Sequence, residues 1–88
     1  MKIEQIVYFL DIAQTQSISR TAERYFISQQ AVSDAMKRLE QEFSCQLLRR
    51  KKNGVALTEE GEMFWVEAKK MMEVYTALQL KINPKYKI

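Results

Sequence analysis

The chain opens with apolar residues at helical spacing. Positions 3, 6, 7, 10 and 13 are apolar, a pattern that predicts an amphipathic helix over roughly 3–14. After a polar break, Ser17 can accept a backbone N–H at the start of a short second helix that reaches about Tyr25. The residues of this segment predicted to face inward are Ile18, Ala22 and Phe26.

A third helix is predicted from Gln29 to about Glu42, with Ser28 as its N-cap. Its apolar stripe consists of Val32, Ala35, Met36, Leu39 and Phe43. The opposite face carries the hydrogen-bonding side chains of Gln30, Ser33, Asp34, Lys37, Arg38 and Gln41. Two short helices joined by a turn of a few residues are typical of a helix-turn-helix, here at about 18–37.

The spacing then changes to that of a hairpin. Residues 46–49 can form a strand, 51–54 a turn and 55–57 the returning strand, which together define a wing at about 46–57. Asn53-Gly54 is the strongest turn signal in this segment, since both residues tolerate positive φ.

Thr58 can cap a last helix that runs to about Ile82 and stops before Pro84. Its apolar positions are spaced by 4, 3, 4, 3 and 4 residues, which indicates a heptad seam that packs against a partner helix. The first part of this seam is also expected to pack on the first helix, and the distal part to dimerise. The seam consists of Phe64, Ala68, Met71, Tyr75, Leu78 and Ile82.

These elements predict a mainly α fold: a winged helix-turn-helix over 1–58, made of three helices and a two-stranded wing, followed by a long linker or dimerisation helix over 59–83. A helix of this length reaches about 36 Å at 1.5 Å per residue, farther than so small a core extends. The tail 84–88 is short, polar and basic, and is expected to fray.

The net charge of +3 arises from one segment. Residues 28–54 contain six basic and three acidic side chains, whereas the segments before and after are each balanced. A basic segment between two neutral ones indicates a surface that faces a polyanion, although many basic surfaces bind nothing.

Histidine is absent and Cys45 is the only cysteine. This composition argues against a zinc site, a disulfide framework and His-based catalysis, so we expect no cofactor, no metal and no enzymatic activity. Cys45 itself is expected to be a small buried hydrophobe; a redox-sensing role is the alternative, without a resolving cysteine nearby. With no apolar run of membrane-spanning length and no secretory signal, the expected setting is the cytoplasm, away from membranes.

Several motifs at fixed spacing resemble one family. The run SISRTAERYFISQQAVS at 17–33, then Leu39-Glu40, LLRR at 47–50 and LTEEG at 57–61, resembles the N-terminal domain of LysR-type transcriptional regulators. The match covers nearly the whole chain. The positions that depart from the usual family residue are Thr21 for alanine, Gln30 for proline, Asp34 for arginine, Phe43-Ser44 for Leu-Gly and Leu48 for phenylalanine.

The resemblance implies a bacterial regulator that binds double-stranded DNA as a dimer or tetramer. In a symmetric dimer, two recognition helices would enter successive major grooves, which favours an imperfect palindrome. It also implies RNA polymerase as a partner of the full-length form, and an effector-binding domain beyond this segment. That domain is absent from the 88 residues, so the chain is expected to be a shortened form or a natural short relative, without a small-molecule ligand of its own.

The third helix supplies the candidate base contacts. The amides of Gln29 and Gln30 can pair with adenine N6 and N7, and Ser33 can reach a base or a phosphate. The alternative is an ordinary solvated helix face. The candidate phosphate contacts are Ser28, Lys37, Arg38, Arg50 and Lys52, of which Arg50 is chosen by resemblance to the family's wing arginine. For the wing cations, the alternative is a solvated loop.

Asp34 is the exception on this face, because its carboxylate repels phosphate. We favour an ion pair with Lys37 or Arg38, three and four residues on, over a hydrogen bond from cytosine N4. A second function remains open: a winged-helix interaction module that modulates a full-length regulator through mixed dimers.

Overall fold

The computed structural model describes residues 1–83 and 85, and confirms the predicted winged helix-turn-helix with a long last helix. The elements, in chain order, are α1 (Ile3–Thr15), α2 (Ile18–Arg24), α3 (Gln29–Phe43), β1 (Leu48–Lys51), β2 (Gly54–Leu57) and α4 (Glu59–Ile82). The last helix ends at Ile82, before Pro84, as predicted, whereas all of the predicted tail except Lys85 lies outside the described residues.

Three helices begin at the residues predicted to cap them. Ser17 Oγ accepts the Arg20 N–H at 3.1 Å, and Ser28 Oγ accepts the Ala31 N–H at 3.0 Å. Thr58 Oγ1 accepts the Gly61 N–H at 2.9 Å. Each hydroxyl satisfies a backbone donor that the helix itself leaves unpaired, so the start sites of α2, α3 and α4 follow from local chemistry.

The core lies where α1, α3 and the wing meet. Its fully buried side chains include Phe9, Ile12, Val32, Leu39 and Leu47, joined by Val55 from β2. Phe43, predicted to belong to the buried stripe of α3, is instead half-exposed and lies edge-on to Phe64 of α4, with ring centroids 5.2 Å apart. It sits in the last turn of α3, where the helix has passed the edge of the core.

The inward placement of Phe26 was wrong, since its side chain is 93% exposed. The helix α2 ends at Arg24, and Phe26 adopts a left-handed backbone with φ of 57°. Helical periodicity therefore no longer applies at this residue. The next residue, Ile27, donates its N–H to the Ala22 carbonyl and packs against the core in its place.

The wing is an antiparallel hairpin in which Leu48 pairs with Leu57 and Lys51 with Gly54. The two central turn residues are thus Lys52 and Asn53, within the turn predicted at 51–54, whereas the first strand lies two residues later than the predicted 46–49. Gly54 instead opens β2 with φ of 137°, and a side chain there would overlap the carbonyl oxygen of Gln16. The glycine therefore permits the wing to approach the α1–α2 loop.

The first two seam positions of α4 are used within the chain. Ala68 is only 1% exposed, and the Phe64 ring packs edge-on against Phe9 of α1 at a centroid distance of 5.0 Å. These two residues have little surface left for a partner helix, which corrects the predicted seam at Ala68. Farther along, the exposed fraction rises to 54% at Leu78 and 77% at Ile82.

Candidate nucleic-acid interface

The N-terminal end of α3 forms the tip of the candidate interface. Gln29 and Gln30 occupy its first two positions, and both side chains are exposed. The Ser28 hydroxyl, which accepts the Ala31 N–H, still carries a proton that it can donate. The first-turn amides of α3 and the positive end of its dipole point the same way, so this tip favours contact with anionic or hydrogen-bonding groups.

A cleft of about 260 Å³ separates α3 from the wing and is lined by both polar and apolar side chains. Ser33 and Lys37 contribute from α3, and Arg49 and Arg50 from β1. Within the described residues, none of these three cations forms an ion pair. The structure therefore brings together three of the predicted contact residues (Ser33, Lys37 and Arg50) on one flank of α3, and Lys52 is exposed at the wing turn.

Glu40 positions the wing, a role that was not predicted. One of its carboxylate oxygens accepts the backbone N–H of Leu47 at 2.8 Å and that of Leu48 at 3.0 Å. These residues lead directly into β1, so Glu40 fixes the start of the wing relative to α3. Charge-assisted hydrogen bonds of this kind are stronger than neutral ones. The sequence gives only a weak signal of this role. The two amides that Glu40 binds lie beyond the end of α3, so the helical pattern around Leu39 does not point to them.

The far edge of the wing is tied to the α1–α2 loop. Lys51 Nζ donates to Gln16 Oε1 at 2.8 Å, and the Val55 N–H donates to the Gln16 carbonyl at 3.1 Å. Gln16 itself has a left-handed backbone with φ of 59°. Lys51 is thereby directed toward α1, whereas Arg49, Arg50 and Lys52 keep their charges exposed.

Asp34 pairs with Gln30 and not with either of the two predicted partners. Its carboxylate accepts a hydrogen bond from Gln30 Nε2 at 2.9 Å, and the expected ion pair with Lys37 or Arg38 does not occur among the described residues. Helical side chains lean toward the N-terminus, which places a short carboxylate over the turn that carries Gln30. Arg38 lies on the opposite flank of α3 from the wing, beside Tyr8 and Lys2.

A buried polar network, also not predicted, fixes α2 against α1. Asp11 is largely buried and accepts hydrogen bonds from the fully buried Thr21 hydroxyl at 2.7 Å and from Arg24 Nε at 2.9 Å. Burial raises the pKa of the neighbouring Tyr25 phenol, and the Asp11 carboxylate raises it further. The network therefore holds α2, the first half of the helix-turn-helix, in place on α1.

None of the helices within the described residues has the length and apolarity needed to cross a bilayer.

The fold and motifs of this chain match a known family. The family model described as a bacterial regulatory helix-turn-helix protein of the lysR family matches residues 3–62. The transcriptional regulator BudR of Raoultella terrigena is 41% identical over 68 residues, which are 77% of this chain but only 23% of that protein. The chain thus spans about a quarter of the length of this curated relative.

Two solved structures of DNA-binding domains superpose closely on the chain. The CbnR DNA-binding domain, crystallised as a complex with DNA, has a TM-score of 0.89 and 25% identity, with 99% of this chain and 100% of that chain covered. The BenM DNA-binding domain in complex with catB site 1 DNA has a TM-score of 0.89 and 26% identity, with 100% and 99% covered. The chain therefore belongs to the LysR family of bacterial regulatory helix-turn-helix proteins.

Proposed function

We propose that this chain binds double-stranded DNA sequence-specifically, with α3 in the major groove and the wing on the backbone or in the minor groove. The observation that carries this proposal is the surface of α3 and the wing: it combines two exposed glutamines at the start of α3 with exposed cations that have no ion-pair partner among the described residues. Glutamine amides carry the donor and acceptor that base edges require, and cations neutralise phosphates. The CbnR and BenM domains, each crystallised with DNA, provide further support.

The same proposal assigns distinct roles to individual residues. Gln29, Gln30 and Ser33 read base edges, whereas Ser28, Lys37, Arg38, Arg50 and Lys52 contact phosphates. A residue that reads a base should change selectivity when it is removed. A residue that contacts phosphate should instead change affinity for all sequences equally.

We further propose that the distal part of α4 forms the interface of a homodimer. Met71, Leu78 and Ile82 lie at seam positions that are exposed in the single chain, and Tyr75 is half-exposed between them. Apolar side chains spaced by three and four residues along a projecting helix are typical of helix pairing. A symmetric dimer would present two copies of α3, which favours an imperfect palindrome as the binding site.

In the context of a complete regulator, this DNA binding would take place in the cytoplasm and influence RNA polymerase at a nearby promoter. The alternative, an interaction module that does not bind DNA, leaves the exposed cations around α3 without a role and is not favoured.

The test is selection of duplexes from a random library by the purified chain, followed by fluorescence anisotropy on the selected site and on a scrambled duplex. Specific regulators bind their sites about 10³-fold or more tightly than other DNA. We expect Gln29→Ala to cost about 1–3 kcal/mol on the selected site and to relax one base preference. Arg50→Ala should weaken binding to both duplexes equally and make the salt dependence shallower by about one unit.

Two results would contradict the proposal. Weak, uniform binding that disappears with added salt would leave only backbone attraction, without sequence specificity. No binding to any duplex at low salt would favour the interaction module.

A further inference from the structure

The hydrogen bond between Gln30 and Asp34 joins two residues on the exposed face of α3. Gln30 Nε2 lies 2.9 Å from Asp34 Oδ1, and both side chains are exposed.

The chemistry of this contact fixes which way the amide points. An ionised carboxylate only accepts hydrogen bonds, so the nitrogen of Gln30, and not its oxygen, must face Asp34. One of the two amide N–H groups is then occupied. The remaining N–H and the amide oxygen stay available, and they are the donor and the acceptor that adenine N7 and N6 require.

We propose that Asp34 is a positioning residue that holds the Gln30 amide in the orientation that reads adenine in the major groove. This inference rests on the proposed DNA-binding function. Without Asp34 the terminal amide can turn over and exchange its oxygen and nitrogen, because the terminal torsion of glutamine is broad and roughly two-fold. Immobilisation of the amide in one orientation before binding removes an entropic cost from recognition of the base.

The position of Asp34 also explains a negative charge on a face that meets a polyanion. The carboxylate forms no ion pair among the described residues, so its charge opposes phosphate on every sequence alike. Its loss should therefore strengthen binding to random DNA while it weakens discrimination between bases. If Asp34 acted only through the stability of α3, its loss would change the affinity for random DNA and the discrimination between bases in the same direction.

The experiment compares base-preference profiles from library selection for the wild type, Gln30→Ala, Asp34→Ala and the double variant. Gln30→Ala identifies the base pair that Gln30 reads. We expect Asp34→Ala to reduce adenine discrimination at that base pair by about two- to tenfold and to raise the affinity for a scrambled duplex. In the Gln30→Ala background, Asp34→Ala should change no base preference. Asp34→Glu, which keeps an acceptor-only group, should restore much of the adenine discrimination.

A second readout uses 7-deazaadenine, which lacks the N7 acceptor, at the base pair identified by Gln30→Ala. Its incorporation should weaken binding of the wild type more than that of Asp34→Ala. Thermal unfolding of each variant checks that the exposed substitutions leave the fold intact.

The outcomes separate this inference from the proposed function. If the wild type selects no sequence, the proposed function fails. If it selects a site but Asp34→Ala keeps the full adenine preference, only the role of Asp34 is overturned. An effect of Asp34→Ala on base preference that persists without Gln30 would mean that Asp34 contacts a base directly, which also overturns the positioning role.

Discussion

Removal of the Glu40 side chain should destabilise the wing and with it the whole domain. The Glu40 carboxylate is the acceptor for the N–H groups of Leu47 and Leu48, at 2.8 and 3.0 Å. A hydrogen bond to a charged group contributes about 1.5–3 kcal/mol. Because Glu40 and Leu48 are half-buried, water can replace part of this interaction, and we expect Glu40→Ala to cost about 2–4 kcal/mol in free energy of unfolding.

For a domain of this size, each kcal/mol lowers the Tm by about 4–8 °C, so Glu40→Ala should unfold roughly 8–30 °C below the wild type. Glu40→Gln keeps one oxygen acceptor without the charge, so its Tm should lie between that of Glu40→Ala and that of the wild type. The matched control is Glu42→Ala. Its carboxylate is exposed and pairs with the N-terminal amino group at 2.9 Å, a surface contact worth at most about 1 kcal/mol.

The assay is thermal and urea unfolding followed by circular dichroism, combined with hydrogen exchange of the backbone amides. Exchange at 47–51 should accelerate before exchange in α1, because the lost acceptor lies at the start of β1. A Tm for Glu40→Ala within about 3 °C of that for Glu42→Ala would refute the assigned role, since that gap corresponds to less than 1 kcal/mol.

Three further predictions follow from single features. Phe26→Asn should raise the free energy of unfolding by about 0.5–1 kcal/mol in urea titrations, because asparagine tolerates the left-handed backbone better and the exposed ring buries little; a loss of stability would contradict this. The raised pKa of Tyr25 means that its phenol stays neutral in the folded chain when the unfolded chain already ionises, so stability should decline as pH rises above 10.0. When Tm is measured against pH, Tyr25→Phe should show a smaller decline than the wild type, and Tyr75→Phe serves as the control. Parallel curves for Tyr25→Phe and the wild type would contradict the role of Tyr25 in this decline. Leu78→Glu places a charge on the exposed distal seam and should convert a dimer to monomers in analytical ultracentrifugation, and an unchanged sedimentation coefficient would remove Leu78 from the interface.

The features that could be predicted from the sequence depend on local chemistry. The starts of α2, α3 and α4 lie where Ser17, Ser28 and Thr58 allow a side-chain oxygen to accept a backbone N–H three residues on. The buried positions of α3 at Val32, Met36 and Leu39 follow from helical period alone. Interactions within one or two turns do not depend on how the rest of the chain folds, so pattern and capping suffice to locate them.

The incorrect predictions concern contacts between elements, or residues at the ends of elements. The inward placement of Phe26 assumed that helical period continued beyond Arg24, where the chain turns into a left-handed conformation. The strand predicted at 46–49 lies instead at Leu48–Lys51, and the close approach of Gly54 to Gln16 of the α1–α2 loop was not predicted. Neither the loop nor its distance from the wing is encoded in the spacing of residues 46–57.

For the candidate site, the sequence by itself determined which residue types lie on the exposed face of α3 and that basic residues follow in the wing. Only the tertiary structure decided how they combine: Glu40 with the amides of Leu47 and Leu48, Lys51 with Gln16, and Ala68 with the chain's own core. A pattern of hydrophobic and polar residues specifies which face of an element is buried, since burial depends on the period of that element. The partner that a polar side chain finds depends instead on the packing of distant segments, and that becomes defined only when the whole chain has folded.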